Sequence, residues 1–470
     1  MYLKYLNDGD RSVCNEYLAV ILSCIIYYIC GVHTGWTSPS LAKLQSDEYP
    51  FEISNEEASY MAILGPIGDI VGEISYTFFA DKIGRKNTLL LAGVPMMCSW
   101  VLIYTSQISP IMIYVARFLG GICMGTAISV SPMYTAEISR PEIRGKLGVI
   151  SVFSFMSGVI TINLIGKFLT IHQSALIFLS VVIMFFLTFS SMPKSPYYLL
   201  MKGRKEEAER SLRFFRRSSD VTKEALSLSA DVERQLSESG SYKDLFTFRA
   251  NRKALTLMIL GRIFQQLTGS TALTMYGQHL LQGSSQIIEP QFAITIISIG
   301  QAVCVILCGS ISDRFGRVPL LIYTTGVCSV SLLVMGIYFS LRDFTDLNPS
   351  VITPILVYGV YFLVYQTGIG SLLNVLLGEM FSASVKPKAI AVANITYSLT
   401  VLFSTKFYQI SFDYLHISVF FYSCAICTFV GTVYFKCCFP ETKGKELEQI
   451  QMELGHKGRR KSKKVTKEGV

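Results

Sequence analysis

Two short stretches of the sequence decide the fold, Asp81-Lys82-Ile83-Gly84-Arg85-Lys86 and Asp313-Arg314-Phe315-Gly316-Arg317. Each stretch ends a long apolar run and combines an acidic residue, a glycine and clustered basic residues. Glycine permits a tight turn between two helices, and the charges mark the point where an apolar run meets water. Because the same Asp, Gly and Arg spacing occurs once in each half of the chain, the sequence predicts two related halves.

A second repeated spacing supports this division. Glu137 is followed seven residues later by a base, Arg144, and Glu379 is followed seven residues later by Lys386. We expect the charges of both motifs to form a cytoplasmic latch that breaks and re-forms as the halves rock; the alternative is that they only anchor the topology. The predicted latch residues are Asp81, Arg85, Glu137 and Arg144 in the first half, and Asp313, Arg317, Glu379 and Lys386 in the second.

Composition places the chain in a membrane. Of its 470 residues, 51% are hydrophobic and only 16% are charged, and the mean hydropathy is +0.43. Soluble domains carry about 25% charged residues, and this apolar content would fill about twelve spans of ~20 residues each. The balance argues against a soluble enzyme and a disordered chain. Most of the twelve cysteines lie inside apolar runs, which argues against a disulfide scaffold.

Twelve apolar runs, separated by Gly, Pro and charged residues, predict an all-α integral membrane protein with two six-helix pseudo-repeats. The runs lie near 17–36, 58–80, 88–106, 111–136, 146–170, 174–192, 253–281, 291–312, 318–341, 352–378, 387–410 and 417–438. The predicted organisation is a cytoplasmic N-terminus (1–16), a six-helix bundle (17–192), a cytoplasmic helical linker (193–252), a second six-helix bundle (253–438) and a basic cytoplasmic tail (439–470).

The formal net charge of +9 is concentrated in two polar segments, 193–253 and 436–470. Lys and Arg collect on the cytoplasmic side of membrane proteins, so both termini are predicted to be cytoplasmic. The same rule explains the basic tail better than nucleic-acid binding does, and we expect a lipid bilayer but no nucleic acid as a partner. We expect a multi-pass protein of the plasma membrane that functions as a monomer.

Several amide side chains are predicted to reach one depth near the membrane midplane, which lies about ten helical residues from the inner boundary. Amides donate and accept hydrogen bonds without net charge, which suits a neutral, hydroxyl-rich ligand better than an ion. The alternative is hydrogen bonding between helices, which is common in membranes. The predicted set is Gln265, Gln266, Gln301 and Gln366, with Asn374 nearer the inside.

Five charged residues fall inside predicted spans, where charges are expensive and indicate function. They are Asp69, Glu73, Arg117, Arg262 and Lys406. The two acids are four residues apart and therefore share one helix face. No nucleophile–base pair, phosphate loop or metal-ligand spacing stands out, so we expect no enzymatic activity, no metal and no cofactor.

At these motifs the chain resembles the major facilitator superfamily and, within it, the sugar porters. The resemblance is carried by both Asp-Gly-Arg boxes and by 117–121, 132–137, 144–145, 193–196, 265–269 and 440–444. Thr37–Leu41, Glu57–Ser59, Gln301 and Thr405-Lys406 are most similar to the insect facilitated trehalose transporters. The resemblance implies alternating-access transport of a hexose or trehalose, with Gln265, Gln266 and Gln301 contacting the sugar.

The sequence departs from the sugar-porter pattern within the implied site. Thr271 replaces an Asn of the seventh span, Asn374 replaces a Trp of the tenth, and Tyr397-Ser398 replaces an Asn-Trp pair of the eleventh. Tyrosines could substitute for the missing indoles, and the candidates are Tyr276, Tyr361, Tyr365 and Tyr397. The departures keep open a carrier of another small organic solute.

His33 stands where proton-coupled relatives have an aspartate opposite the arginine that is Arg117 here. A neighbouring cation disfavours a charged imidazole, so we expect His33 to be neutral and transport to be facilitated diffusion. One alternative is that Asp69 or Glu73 accepts a coupling proton. Another, from a different class, is a sugar sensor that keeps the fold without transporting.

Overall fold

The computed structural model describes residues 13–45, 49–51, 53–237, 242–281, 288–345, 350, 352–382, 384–445 and 447–455. Residues 1–12 of the predicted N-terminal segment and 456–470 of the predicted basic tail lie outside this range. Helices account for all the regular structure within it, which confirms the all-α prediction. In chain order they are α1 (Cys14–Gly35), α2 (Thr37–Leu44), α3 (Asn55–Ile83), α4 (Arg85–Tyr104), α5 (Ile111–Ile138), α6 (Pro141–Ile165), α7 (Ile171–Phe189), α8 (Pro196–Met201), α9 (Lys205–Arg216), α10 (Thr222–Ser237), α11 (Tyr242–Thr247), α12 (Arg249–Leu267), α13 (Ser270–Leu281), α14 (Pro290–Phe315), α15 (Arg317–Phe344), α16 (Thr353–Thr367), α17 (Ile369–Met380), α18 (Lys386–Asp413), α19 (Ile417–Cys438) and α20 (Leu447–Gly455).

Ten of these helical segments are long and apolar enough to cross a membrane. The second and seventh of the twelve predicted spans do not meet that criterion, and they correspond to α3 and to the broken pair α12–α13. These two spans contain Asp69, Glu73 and Arg262, which lower their hydropathy. Both spans that miss the criterion therefore carry charge inside the membrane, as expected for functional positions, although α5 meets it despite the buried Arg117.

Two spans of the second half are broken near their middle. The seventh breaks between α12 and α13 at Gly269, whose φ of 78° is left-handed. The tenth breaks between α16 and α17 at Gly368, where a Cβ would lie 1.8 Å from the hydroxyl oxygen of Thr324. The Tyr361 hydroxyl of α16 donates to the Thr268 carbonyl at 2.9 Å, so the two broken spans are bonded together at the break.

The first half is held by close backbone contacts. A Cβ on Gly121 of α5 would lie 2.0 Å from the carbonyl oxygen of Gly65 on α3, and one on Gly125 would lie 2.1 Å from that of Asp69. A Cβ on Gly31 of α1 would likewise lie 2.0 Å from a backbone oxygen of α6. Small residues four apart permit this approach between membrane helices. The first half therefore packs as a tight body.

The two halves meet mainly along two seams, α3 against α18 and α6 against α14, and α2 also packs against α13. Three hydrogen bonds cross the first seam at different heights: Lys406 Nζ to Ser59 Oγ (3.1 Å), Asn394 Nδ2 to Glu73 Oε1 (3.0 Å) and Tyr76 OH to the Pro387 carbonyl (3.5 Å). The second seam carries Gln291 Nε2 donating to the Asn163 carbonyl at 2.7 Å and an ion pair between Lys167 and Glu289.

Candidate functional site

Arg262 is the centre of a polar network on the second half. Its Nη1 donates to Gln265 Oε1 at 2.8 Å, and its Nη2 donates to Asn374 Oδ1 at 2.6 Å. Its guanidinium lies over the Tyr397 ring, 5.5 Å from the centroid. The Gln265 amide in turn donates to the Ile369 carbonyl at 3.0 Å, beside the break in the tenth span. The two broken spans thus bring together residues more than a hundred positions apart.

Two N–H donors in or beside this network lack hydrogen-bond acceptors among the described residues. Arg262 is only 4% exposed, and its Nε has no hydrogen-bond partner in the part of the chain that is described. Gln266 accepts from the Thr271 hydroxyl at 2.8 Å, but its Nε2 is buried without a partner there too. Asn374 is exposed, so the network borders accessible space. Buried donors without partners are rare, and their presence beside an opening suits a ligand that supplies acceptors.

Three of the predicted binding residues lie elsewhere. Gln366 stays within its own span, donating to Ser371 Oγ at 3.3 Å. Tyr276 stacks on Tyr408 with ring centroids 4.6 Å apart, beside a small cavity at the outer ends of the spans. Gln301 of α14 is partly buried and makes no hydrogen bond among the described residues. The structure thus brings Gln265, Asn374 and Tyr397 together around Arg262 and pairs Gln266 with Thr271. The other three predicted residues do not join this network.

On the first half, a chain of hydrogen bonds runs from Arg117. Its Nη1 contacts His33 Nδ1 at 3.0 Å and donates to the His33 carbonyl at 2.5 Å. His33 Nε2 lies 3.1 Å from the Ser99 hydroxyl, which donates to the Ala116 carbonyl at 2.7 Å. Arginine only donates, so His33 Nδ1 accepts from Arg117. The Ser99 hydroxyl gives its proton to the Ala116 carbonyl, so His33 Nε2 donates to Ser99. These hydrogen bonds assign a neutral His33 protonated on Nε2.

The two intramembrane acids have different surroundings. Glu73 is 2% exposed, accepts from Ser129 Oγ at 2.8 Å and, across the seam between the halves, from Asn394 Nδ2 at 3.0 Å. Asp69 is partly buried, and its Oδ1 has no partner among the described residues. Glu73 thus joins the two halves, whereas Asp69 stays within the first.

The first Asp-Gly-Arg box forms a charge cluster inside the first half. Arg85 Nε pairs with Glu137 at 2.7 Å, and its Nη1 pairs with Asp81 at 3.0 Å. The Ser195 hydroxyl, from the segment after α7, donates to the other Glu137 oxygen at 2.5 Å. The linker therefore docks onto the helix ends at this point.

The second box repeats this arrangement. Arg317 Nη2 pairs with Glu379 at 3.1 Å and with Asp313 at 3.0 Å. The Thr442 hydroxyl, from the segment after α19, donates to Glu379 Oε2 at 2.6 Å. In the described ranges each cluster joins helices of its own half, and no ion pair links one cluster to the other.

The remaining two latch candidates contact backbone oxygens. Arg144 donates to the Ser139 carbonyl at 3.4 Å, and Lys386 donates to the Gly378 carbonyl at 2.9 Å. Neither has a carboxylate within ion-pair distance in the part of the chain the structure covers. In this conformation, neither forms an ion pair with the Arg85 or Arg317 cluster, although Lys386 is attracted electrostatically to Glu379.

Sequence reasoning missed the hydroxyls that complete both clusters. Ser195 and Thr442 each stand two residues after a proline, Pro193 or Pro440, that follows the last span of a half. This Pro-x-Ser/Thr repeat was the available signal. Arg262 was singled out as a charge but not as the centre of the amide site, because its partner Asn374 is distant in sequence.

Comparison with known proteins places the chain in a family. Residues 18–454 match the family described as "Sugar (and other) transporter". A curated relative, "Facilitated trehalose transporter Tret1" of Bombyx mori, is 28% identical over 436 residues, covering 92% of this chain and 85% of the relative. The protein of the same name from Drosophila virilis is 26% identical over 95% of this chain, which spans only 49% of that longer relative.

Solved structures agree with this placement at the level of the fold. The inward-open xylose transporter XylE from E. coli superposes with a TM-score of 0.76 at 20% identity, covering 92% of this chain and 98% of that one. XylE bound to 6-bromo-6-deoxy-D-glucose, described as a proton:xylose symporter, gives 0.73 at 20% identity, covering 94% and 99%. The chain has the twelve-helix major facilitator fold and belongs to the sugar (and other) transporter family, a family of membrane transport proteins rather than enzymes.

Proposed function

We propose that this protein is a facilitated-diffusion carrier for a sugar, a hexose or trehalose, and that it works by alternating access. The observation that carries the proposal is the network of Arg262, Gln265 and Gln266 at the broken seventh span, with buried donors that lack partners. Hydroxyl-rich solutes supply the matching acceptors. The trehalose-transporter relatives support a sugar as the solute.

Alternating access is supported by where the halves touch. Ser38 with Gln278, Ser59 with Lys406, and Asn163 with Gln291 all join the halves toward the predicted outer side. Toward the predicted cytoplasmic side, Tyr76 with Pro387 joins the halves within the described residues, at the longer distance of 3.5 Å. This pattern is typical of a carrier with its outer side closed. In our proposal the box clusters control cycling, both termini are cytoplasmic, and the protein acts as a monomer in the plasma membrane.

In this proposal, transport is not coupled to protons. His33 accepts from Arg117 and donates toward Ser99, whose own proton is held by a backbone carbonyl. Binding a second proton would place a cation beside Arg117, which Coulomb repulsion opposes. Of the two rival acids, Glu73 has both oxygens hydrogen-bonded, whereas Asp69 has one oxygen without a partner among the described residues and is the alternative that the test must address.

The test is uptake of labelled glucose and trehalose by purified protein in liposomes. We expect entry that stops at equal concentrations and is unchanged when a pH gradient is imposed or collapsed. Uphill accumulation lost with a proton ionophore would contradict facilitated diffusion. Its further loss in Asp69→Asn or Glu73→Gln would name the proton carrier. Binding without flux would instead favour a sugar sensor.

A further inference from the structure

We propose that the Arg262 site accepts sugars that carry a carboxylate, such as hexuronates, and prefers them to neutral sugars. This inference rests on the proposed transport function and refines its substrate class. It starts from Arg262, a guanidinium that is 4% exposed within a membrane span. Such a charge needs a counter-charge or an ordered set of acceptors to be tolerated.

Every contact that Arg262 makes among the described residues is with a neutral group. Its two Nη atoms donate to the amide oxygens of Gln265 and Asn374, and its face lies on the ring of Tyr397. No carboxylate lies within ion-pair distance of it in the ranges the structure covers, and Glu73 attracts it only from farther away. Both oxygens of the intramembrane acid Glu73 are hydrogen-bonded, to Ser129 and Asn394.

The other intramembrane cations are better satisfied. Arg117 donates to the Met61 carbonyl at 3.3 Å as well as to His33. Lys406 donates to Ser59 and lies over the Tyr60 ring, away from the amide network. Among these cations, Arg262 is the one with a buried donor left unpaired in the described ranges, and a monoanionic solute bound there would neutralise its charge.

The geometry suits a carboxylate. A guanidinium has five N–H donors in a planar fork, and the Nε of Arg262 is buried without a partner. Gln265 and Asn374 each occupy one Nη and fix the plane, which leaves Nε and neighbouring N–H groups for a two-point contact with carboxylate oxygens. Nearby, the free Nε2 of Gln266 can serve a sugar hydroxyl. Asn374 is exposed, so one edge of the site borders accessible space.

The test compares labelled glucuronate with glucose and trehalose in liposomes containing the purified full chain. We expect glucuronate to have the lower KM by about tenfold to a hundredfold, the range of a charged hydrogen-bonded contact. Because a monoanion carries charge and a neutral sugar does not, an inside-positive membrane potential should accumulate glucuronate but not glucose. This comparison needs no variant.

Variants test whether Arg262 causes the preference for glucuronate. Arg262→Gln should abolish the preference for glucuronate, and Arg262→Lys, which keeps the charge but not the fork, should retain only part of it. Lys406→Gln is the matched control, since it removes another membrane cation away from the network. It should change the rates of both solutes by the same factor and leave the preference intact.

The outcomes separate this inference from the proposed function. Normal glucose or trehalose flux, with glucuronate neither entering nor competing, would overturn the inference and leave the proposed function standing. A glucuronate preference that persists in Arg262→Gln would overturn the assignment to Arg262. Absence of flux for every solute would overturn the proposed function and the inference with it.

Discussion

The second and fourth spans of the first half, α3 and α5, touch backbone to backbone at Gly121 and Gly125. Their counterparts in the second half are α14 and the broken α16–α17, and these meet through side chains. A Cβ on Gly300 would meet the Leu363 side chain at 2.5 Å, and one on Gly309 would meet nothing within 4 Å. The difference indicates that the first half acts as a rigid body, whereas the second half has room to rearrange around its breaks.

The largest expected effect comes from filling the tight contact. Gly121→Ala would place a methyl group 2.0 Å from a backbone oxygen, which cannot move aside as a side chain can. We expect a loss of about 3 kcal/mol or more of stability, seen as a lower melting temperature of the purified protein. Gly309→Ala is the matched control and should be neutral or stabilising by up to about 1 kcal/mol. Equal losses would remove the contrast between the halves.

The charge clusters give the next effect. Arg85 is more buried than Arg317, with side-chain exposures of 5% and 14%, and so are their partners Glu137 and Glu379, at 12% and 29%. Removing Arg85 should cost about 3–5 kcal/mol, because it leaves a buried carboxylate unpaired. Arg317→Ala should cost about 1–3 kcal/mol. Thermal melting of both variants measures this.

A double variant checks the reason for that difference. Adding Glu137→Gln to Arg85→Ala should restore part of the lost stability, since a neutral amide costs less to bury than an unpaired carboxylate. No recovery would mean that Arg85 acts through packing rather than charge.

A smaller effect should distinguish two binding candidates within the second half. Gln265 contacts Arg262 and the tenth-span carbonyls, so Gln265→Ala should raise the KM for the transported sugar about tenfold, through the loss of about 1.4 kcal/mol. Gln301 makes no such hydrogen bond among the described residues, and Gln301→Ala should raise KM less than about threefold. Uptake kinetics, corrected for the amount of protein in the membrane, give the KM values of the two variants for this comparison. Equal increases would place Gln301 in direct contact with the sugar.

The smallest expected effect concerns the docking hydroxyls. Ser195→Ala and Thr442→Val each remove one hydrogen bond to a cluster glutamate, worth about 0.5–1.5 kcal/mol. The loss at Ser195 should be the larger, because Glu137 is the more buried acid and because the Ser195 hydroxyl also accepts from the Tyr198 N–H at the start of α8. An unchanged melting temperature in both variants would show that the Pro-x-Ser/Thr repeat does not stabilise the clusters.

The periodic apolar runs and the two boxes were enough to predict the twelve-helix plan, since membrane spans and their charged ends are local features. The breaks at Gly269 and Gly368 were not predicted, because a glycine within an apolar run is compatible with a continuous helix. The tight pairing of α3 with α5 was missed, although Gly68-x-x-x-Gly72 and Gly121-x-x-x-Gly125 were visible. The contact of Arg262 with Asn374 depends on how separate spans pack, which no local pattern gives.

The three hydrogen bonds along α3 and α18 have a mechanical consequence. Ser59 lies about 21 Å along the helix from Glu73, whereas Tyr76 lies only about 5 Å from it. If the halves pivot near Glu73, a rotation of about 10° moves Ser59 by about 4 Å but Tyr76 by less than about 1 Å. The hydrogen bond from Lys406 to Ser59 must then break, whereas the bonds at Glu73 and Tyr76 change little in length. Measured from Glu73, the longer part of this seam points to the predicted outside, so the bond between Lys406 and Ser59 is the contact of this seam that opening of the outer side must break.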